Sequence, residues 1–135
     1  MALTTYRTFV DSLEALDITG VNRQYEQGPP LNPPTDVPFQ YVRYPGADEI
    51  PLVFGEQGGW ATFRAELIIC VEAVGQNTAY ENFDDTVDMM DNISTTLRAT
   101  DCTLANHLRW QIRQIIDTVA GNQYWAVQVI VEGSG

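Results

Sequence analysis

Apolar positions near the start of the chain recur at helical spacing: Tyr6, Phe9, Val10, Leu13 and Leu16 stand three or four residues apart along one stripe. Arg7, Asp11, Ser12 and Glu14 fill the positions between them, so the segment reads as an amphipathic helix ending before Gly20. Between Gly28 and Pro38 lie prolines 29, 30, 33, 34 and 38, which withhold backbone donors and favour an extended connecting arm. Phe39 to Tyr44 then reads as a strand, and a loop rich in Pro45, Gly46, Pro51, Gly55, Gly58 and Gly59 leads to a long strand from Trp60 to Val74. In that long strand Phe63, Ala65, Leu67, Ile69, Val71 and Ala73 share one face. Thr62, Arg64, Glu66, Ile68, Cys70 and Glu72 share the other.

A second helix is expected from Thr78, which forms a capping box with Glu81. Its predicted buried stripe is Phe83, Val87, Met90, Ile93 and Leu97, with Glu81, Asp84, Asp85, Asp88 and Asp91 crowded toward the positive end of the helix dipole. Leu108 to Asp117 and Tyr124 to Glu132 alternate as strands around Gly121-Asn122, a dipeptide suited to a hairpin turn. Trp110, Ile112 and Ile116 should face the same core as Trp125, Val127, Val129 and Val131, or as the other register of that strand.

The order of elements is helix, hairpin, helix, hairpin. It predicts an α+β two-layer sandwich, with two helices packed on one face of a four-stranded mixed or antiparallel sheet, formed as a single domain over residues 1–135. The opposite sheet face mixes Ile68, Cys70 and Ile115 with Arg64, Glu66, Arg109 and Arg113, and a partner subunit is its natural cover.

Charge narrows the function. Eighteen acidic side chains against seven basic ones, all of them arginine, give a net charge of -11, which repels nucleic-acid phosphates and anionic membranes. Cys70 and Cys102 show neither CxxC nor metal spacing, as expected of a reduced compartment, and the first residues lack the pattern of a signal peptide. No run is long and apolar enough for a membrane span.

Chemistry is thin. The Asp84, Asp85, Asp88 and Asp91 cluster lacks the glycine turn and ligand spacing of a calcium loop and reads as a solvated helix face. His107 follows Cys102 by five residues, but no oxyanion-forming signature accompanies the pair. The glycines at 55, 58 and 59 are a poor phosphate loop beside Glu49 and Glu56, and the aromatics Tyr41, Tyr44, Trp60, Trp110, Tyr124 and Trp125 lack the basic groove of a base-stacking platform. The chain is therefore read as a non-enzyme, with no catalytic, cofactor-binding or metal residues and no cofactor.

The full layout resembles the tail terminator proteins of long-tailed (siphovirus) phages, of which the lambda tail terminator is the type case. The resemblance rests on the N-terminal amphipathic helix, Gly20-Val-Asn-Arg-Gln-Tyr25 running into the proline-rich arm, and Val37-Pro-Phe-Gln-Tyr-Val-Arg-Tyr44. It continues through the alternating strand Phe63 to Val74 and the closing Trp110-Gln-Ile-Arg113 and Gly121-Asn-Gln-Tyr124. It implies a structural virion protein: a hexameric ring at the head-proximal end of the tail, assembled in the host cytoplasm. That ring would end tube polymerisation and meet both tail tube protein and head-completion or neck proteins. DNA would pass through without specific binding, repelled by an acidic lumen for which Asp84, Asp85, Asp88 and Asp91 are candidates.

Ring closure requires one surface of a subunit to meet a different surface of the next. Arg64, Arg109 and Arg113 are candidates to pair with Glu66 and Glu72 across or within subunits. Asp48, Glu49 and Glu56, in the 46 to 59 loop, are candidates for contact with tube or head. Two other readings share the pattern: a neck, head-completion or tail tube subunit, and, from another class, a dimeric ferredoxin-like binding module closing its open sheet face on a second copy.

Overall fold

The computed structural model describes residues 5–34, 36–51, 59–76, 78–99 and 107–134. Helix α1 (Tyr6–Glu14) is capped by Thr5, whose hydroxyl accepts a 3.0 Å hydrogen bond from the Thr8 amide. It ends earlier than its apolar stripe does. Gln40 donates to the Leu16 carbonyl at 3.0 Å, holding the chain in a different course while Leu16 and Ile18 remain buried.

The chain continues through β1 (Arg23–Gln24), β2 (Phe39–Pro51) and β3 (Gly59–Ala73) to helix α2 (Ala79–Ala99), then closes with β4 (His107–Val119) and β5 (Asn122–Ser134). The class is α+β, as the periodicities predict, but the sheet is mixed and five-stranded, in the order β1-β2-β3-β5-β4. The extra strand is only two residues long. It pairs in parallel with Phe39 and Gln40, where no hydrophobic pattern would reveal it.

The expected loop after Tyr44 is instead strand as far as Pro51. A bulge between Arg43 and Gly46, with Tyr44 at a φ of 54°, absorbs the break, and pairing resumes at Gly46↔Arg64. Pro45 and Pro51 are tolerated because this part of β2 is a sheet edge, where a missing amide breaks no ladder. Asp48 and Glu49 are therefore strand residues, while Glu56 lies outside the described residues. At the β4–β5 hairpin the turn residues are Ala120 and Gly121, with φ of 51° and 87°. Asn122 already pairs with Val119, one residue earlier than expected.

Both helices lie on one face of the sheet, α1 over β2 and β3, α2 over β3, β5 and β4. Phe9, Leu13, Phe63, Leu67, Ile69, Ile93, Leu97, Val127 and Val129 fill the layer between. Thr78 caps α2 as predicted, accepting from the Glu81 amide at 3.1 Å. In the first part of the helix the buried stripe lies one residue before the predicted one, while Ile93 and Leu97 are buried as predicted. Its buried residues are Asn82, Thr86, Met89, Ile93 and Leu97, whereas Phe83 and Val87 are 48% and 38% exposed. Burial of these polar residues is offset in part by local bonds: Asn82 donates to the Gln76 carbonyl at 2.7 Å and Thr86 to the Asn82 carbonyl at 2.6 Å, while the buried Asn82 Oδ1 has no partner among the described residues.

This phase is measurable. Met89→Ala, at a position buried only in the observed stripe, should lower unfolding free energy by about 2–5 kcal/mol. Val87→Ala should change it by less than about 1 kcal/mol, as for a surface position. Denaturant titration of both variants distinguishes the observed stripe from the predicted one.

Candidate functional site

The face of the sheet away from the helices carries the chain's densest polar constellation. Tyr41 on β2 donates its hydroxyl to Asp117 on β4, although β3 and β5 lie between those strands. In a flat sheet three strand spacings would separate the two backbones by ~14 Å, so this face has to be concave. Arg43 makes the same crossing, donating to the other Asp117 oxygen at 2.8 Å and to Glu66 on β3 at 3.1 Å. Gln128 on β5 donates to Glu66 at 2.7 Å, and its own carbonyl accepts from Arg113 on β4 at 2.7 Å. One polar residue or more from every long strand thus joins a single connected network.

Beside it lies a second apolar core of Phe39, Tyr41, Ile68, Cys70, Val119, Tyr124 and Ala126. Its lid is the proline-rich arm. Tyr25 sets its ring edge-on to Phe39 at 5.6 Å, Phe39 meets Tyr124 at 5.3 Å, and Tyr124 donates to the Pro34 carbonyl at 3.4 Å. Part of this face is covered without any partner subunit: Ile68 and Cys70 are completely buried within the single chain, while Arg109 and Arg113 of the same face stay exposed. The reason is that an extended arm, invisible to helical or strand periodicity, packs as a third layer.

Burial sets the electrostatics of this face. The Tyr41 hydroxyl is pushed far above its ordinary value of 10.0, first by burial and then by its hydrogen bond to Asp117. The Cys70 thiol is likewise pushed up, mainly by burial and secondarily by the Asp117 charge. For Arg43 burial works against the charge, but the hydrogen bond and charge of Asp117, with Glu66, more than offset it. The guanidinium thus stays charged between two carboxylates, the phenol and thiol stay protonated, and the arrangement acts as a cross-strand tie.

The residues singled out from sequence are placed as follows. Glu66 and Arg113 meet in this network through Gln128, within one chain. Arg64 pairs with Asp48 and reaches Glu132 at 3.9 Å, and Arg109 reaches the same Glu132 at 3.7 Å. Glu72 takes the amide of Ala73 at 3.0 Å and stands apart from the arginines. Glu49 accepts from Tyr6 of α1 at 3.0 Å. Asp84, Asp85, Asp88 and Asp91 form an exposed row on α2. His107 begins β4, while Cys102 lies outside the described residues. Among the described residues, no group of three or more histidines, cysteines and acidic residues is placed to hold a metal ion. No described helix is long and apolar enough to cross a membrane.

Sequence reasoning missed Arg43, Asp117 and Gln128. Each is one polar position in an otherwise unremarkable strand, and only the register brings them together. An acid at 117 directly after the apolar pair Ile115-Ile116 was the one available signal. No protein-family model matches the chain, and no curated protein matches it either.

The raised Tyr41 and Cys70 values make stability fall at high pH. Both groups keep their protons in the folded chain while the unfolded chain releases them above about pH 9–10, so the unfolded state binds fewer protons there and gains relative stability. The contribution is complete below pH 9.0, the ordinary thiol value, and declines above it. Tyr41→Phe should flatten the decline of unfolding free energy between pH 10 and 11, as measured by urea titration at each pH. An unchanged slope would show that the Tyr41 hydroxyl is not the group responsible.

Proposed function

We propose that this chain is a structural virion subunit of the tail-terminator kind, which assembles with its own copies as a ring on a phage tail tube, stops tube growth and offers the head-joining surface. The observation that carries the reading is how the chain spends its surface. Part of its concave face is closed by its own arm and polar network, whereas apolar side chains stay exposed around the rest of the domain: Tyr80, Phe83 and Val87 on α2, Tyr6 on α1, Leu31 on the arm and Tyr44 on β2. Apolar surface left on the outside of an otherwise well-filled domain is the mark of a protein that is completed by neighbours.

The net charge of -11 fits the same role, since a conduit for DNA works only if each contact with the phosphates is weak. The exposed row Asp84, Asp85, Asp88 and Asp91 is the proposed lumen surface. Virion localisation, a sixfold ring and contact with tube and head-completion proteins are parts of this proposal.

A dimer closed on the open sheet face is disfavoured by the full burial of Ile68, Cys70 and Ala126 inside one chain. A tube or neck subunit of similar fold differs in what it does to a growing tube, and that is the test. Added to polymerising tail tube protein, the chain should give tubes capped at one end and halted in length, seen by electron microscopy; tubes that lengthen unhindered would reject the terminator role. Because 46–51 and 59 belong to strands and Pro51 pairs with Gly59, replacing residues 52–58 with Asn-Gly keeps a two-residue turn between them. It should weaken capping while leaving thermal stability within a few degrees.

A further inference from the structure

The sheet has two edges, and the chain guards only one of them. Along β2 the run of free backbone groups is broken by the bulge between Arg43 and Gly46, by Pro45 and Pro51, and by β1 paired at Phe39 and Gln40. At the other edge β4 carries none of these devices. Its 13 residues hold no proline or glycine, and its pairing with β5 runs unbroken from His107↔Ser134 to Val119↔Asn122. Val119 and Asn122 flank a two-residue turn and so form a hydrogen-bonded pair. Odd-numbered residues of β4 therefore bond to β5, while even-numbered ones, Trp110, Ile112 and Gln114 among them, turn their N–H and C=O groups outward. Among the described residues no strand takes these groups up.

The side chains of β4 set the kind of strand that would. On the outer face Arg109 and Arg113 are exposed, while Asp117, the only acid of the strand, is buried and taken by Tyr41 and Arg43. Among the described residues Arg113 has the neutral Gln128 as its partner, and Arg109 shares Glu132, 3.7 Å away, with Arg64. On the helix side Ile112 is half-buried and Ile116 is 48% exposed. Asn92 of α2 donates to the Thr19 carbonyl, so the side of α2 that carries Phe83, about 180° round at ~100° per residue, is the side toward the β4 edge. Asp84 and Asp91 stand about 160–180° round from the buried Ile93 and face away from the sheet.

We propose that β4 is a docking edge for an extended acidic segment of another protein. The segment adds as a further strand, with carboxylates toward Arg109 and Arg113 and apolar side chains toward Ile112 and Ile116. The backbone ladder fits any extended chain, and the two arginines select an acidic one. A second copy is the wrong occupant by charge: centred anywhere from Ile112 to Gln114, a β4–β4 pairing sets Arg113 directly opposite or diagonal to an arginine. The inference rests on the sheet topology and stands apart from the ring and the tail tube.

The probe is a short blocked peptide that alternates threonine and valine, with glutamate at two threonine positions spaced as Arg109 and Arg113 are; a control peptide has lysine at both. Added to the full-length chain, the glutamate peptide should bind at least about tenfold more tightly than the lysine peptide by fluorescence anisotropy, and it should slow hydrogen exchange at the amides of Trp110, Ile112 and Gln114. In a chain carrying Arg109→Gln and Arg113→Gln the two peptides should bind about equally. Gln114→Pro removes one outward amide without touching the β5 ladder and should weaken the glutamate peptide roughly tenfold; if that variant does not fold, the arginine variant and the exchange pattern still decide. No binding at millimolar peptide, equal binding of both peptides by the unmodified chain, or protection that falls elsewhere than β4 overturns the proposal. So does a free chain that is dimeric by mass with its β4 amides already protected, since the edge would then belong to a second copy.

Discussion

The Asp117 carboxylate is the constraint on which the rest of the concave face depends. It sits almost fully buried near the end of β4 and takes a hydrogen bond from Tyr41 and a charged one from Arg43, both reaching from β2. Two carboxylate bonds across intervening β3 and β5 hold the sheet curled, and the curl gives Ile68, Cys70 and Ala126 a place to be buried without a layer of helices. Desolvating these charges is costly, so the network holds only because each member is answered: Arg43 by two carboxylates, Glu66 by Arg43 and Gln128, Gln128 by Arg113.

From that curl follows the division of labour between the faces. The inner layer is closed by two helices, and the outer one by the proline-rich arm, whose fixed φ values keep the entropy cost of ordering it low. The outer closure covers only the half of that face around Phe39 and Tyr124; Arg109 and Arg113 on β4 stay exposed beyond it, as do Phe83 and Val87 on α2.

Much of the fold was legible from side-chain period. The alternation from Phe63 to Val71 separated the two faces of β3 correctly, because that strand is buried on both sides and every position has a partner. In α2 the buried Ile93 and Leu97 were legible, but the phase of the first turns was not, since apolar Phe83 and Val87 belong to the surface while polar Asn82 and Thr86 are buried on local hydrogen bonds. Periodicity measures apolarity and cannot tell a core from an interface. The strand character of Pro45 to Pro51 was hidden by residues that usually mark loops but are permitted on an edge. Of the polar network, Glu66 and Arg113 stood out by charge. Their connection through Gln128, and the crossing to Asp117, depend on register across three strand pairs, which no single strand records.

The central claim is that the concave face is closed inside one chain by the Arg43–Asp117 contact. A double-mutant cycle on folding free energy, with Arg43→Ala, Asp117→Ala and both together, measures that contact directly. Each single change should cost about 3–5 kcal/mol by stranding the other's charge. The pair should cost at least about 2 kcal/mol less than the sum of the two, because the second removal leaves no further charge unpaired. Additive losses, with a coupling near zero, would mean that the two side chains do not tie β2 to β4, and the account of the curled sheet would fail with them.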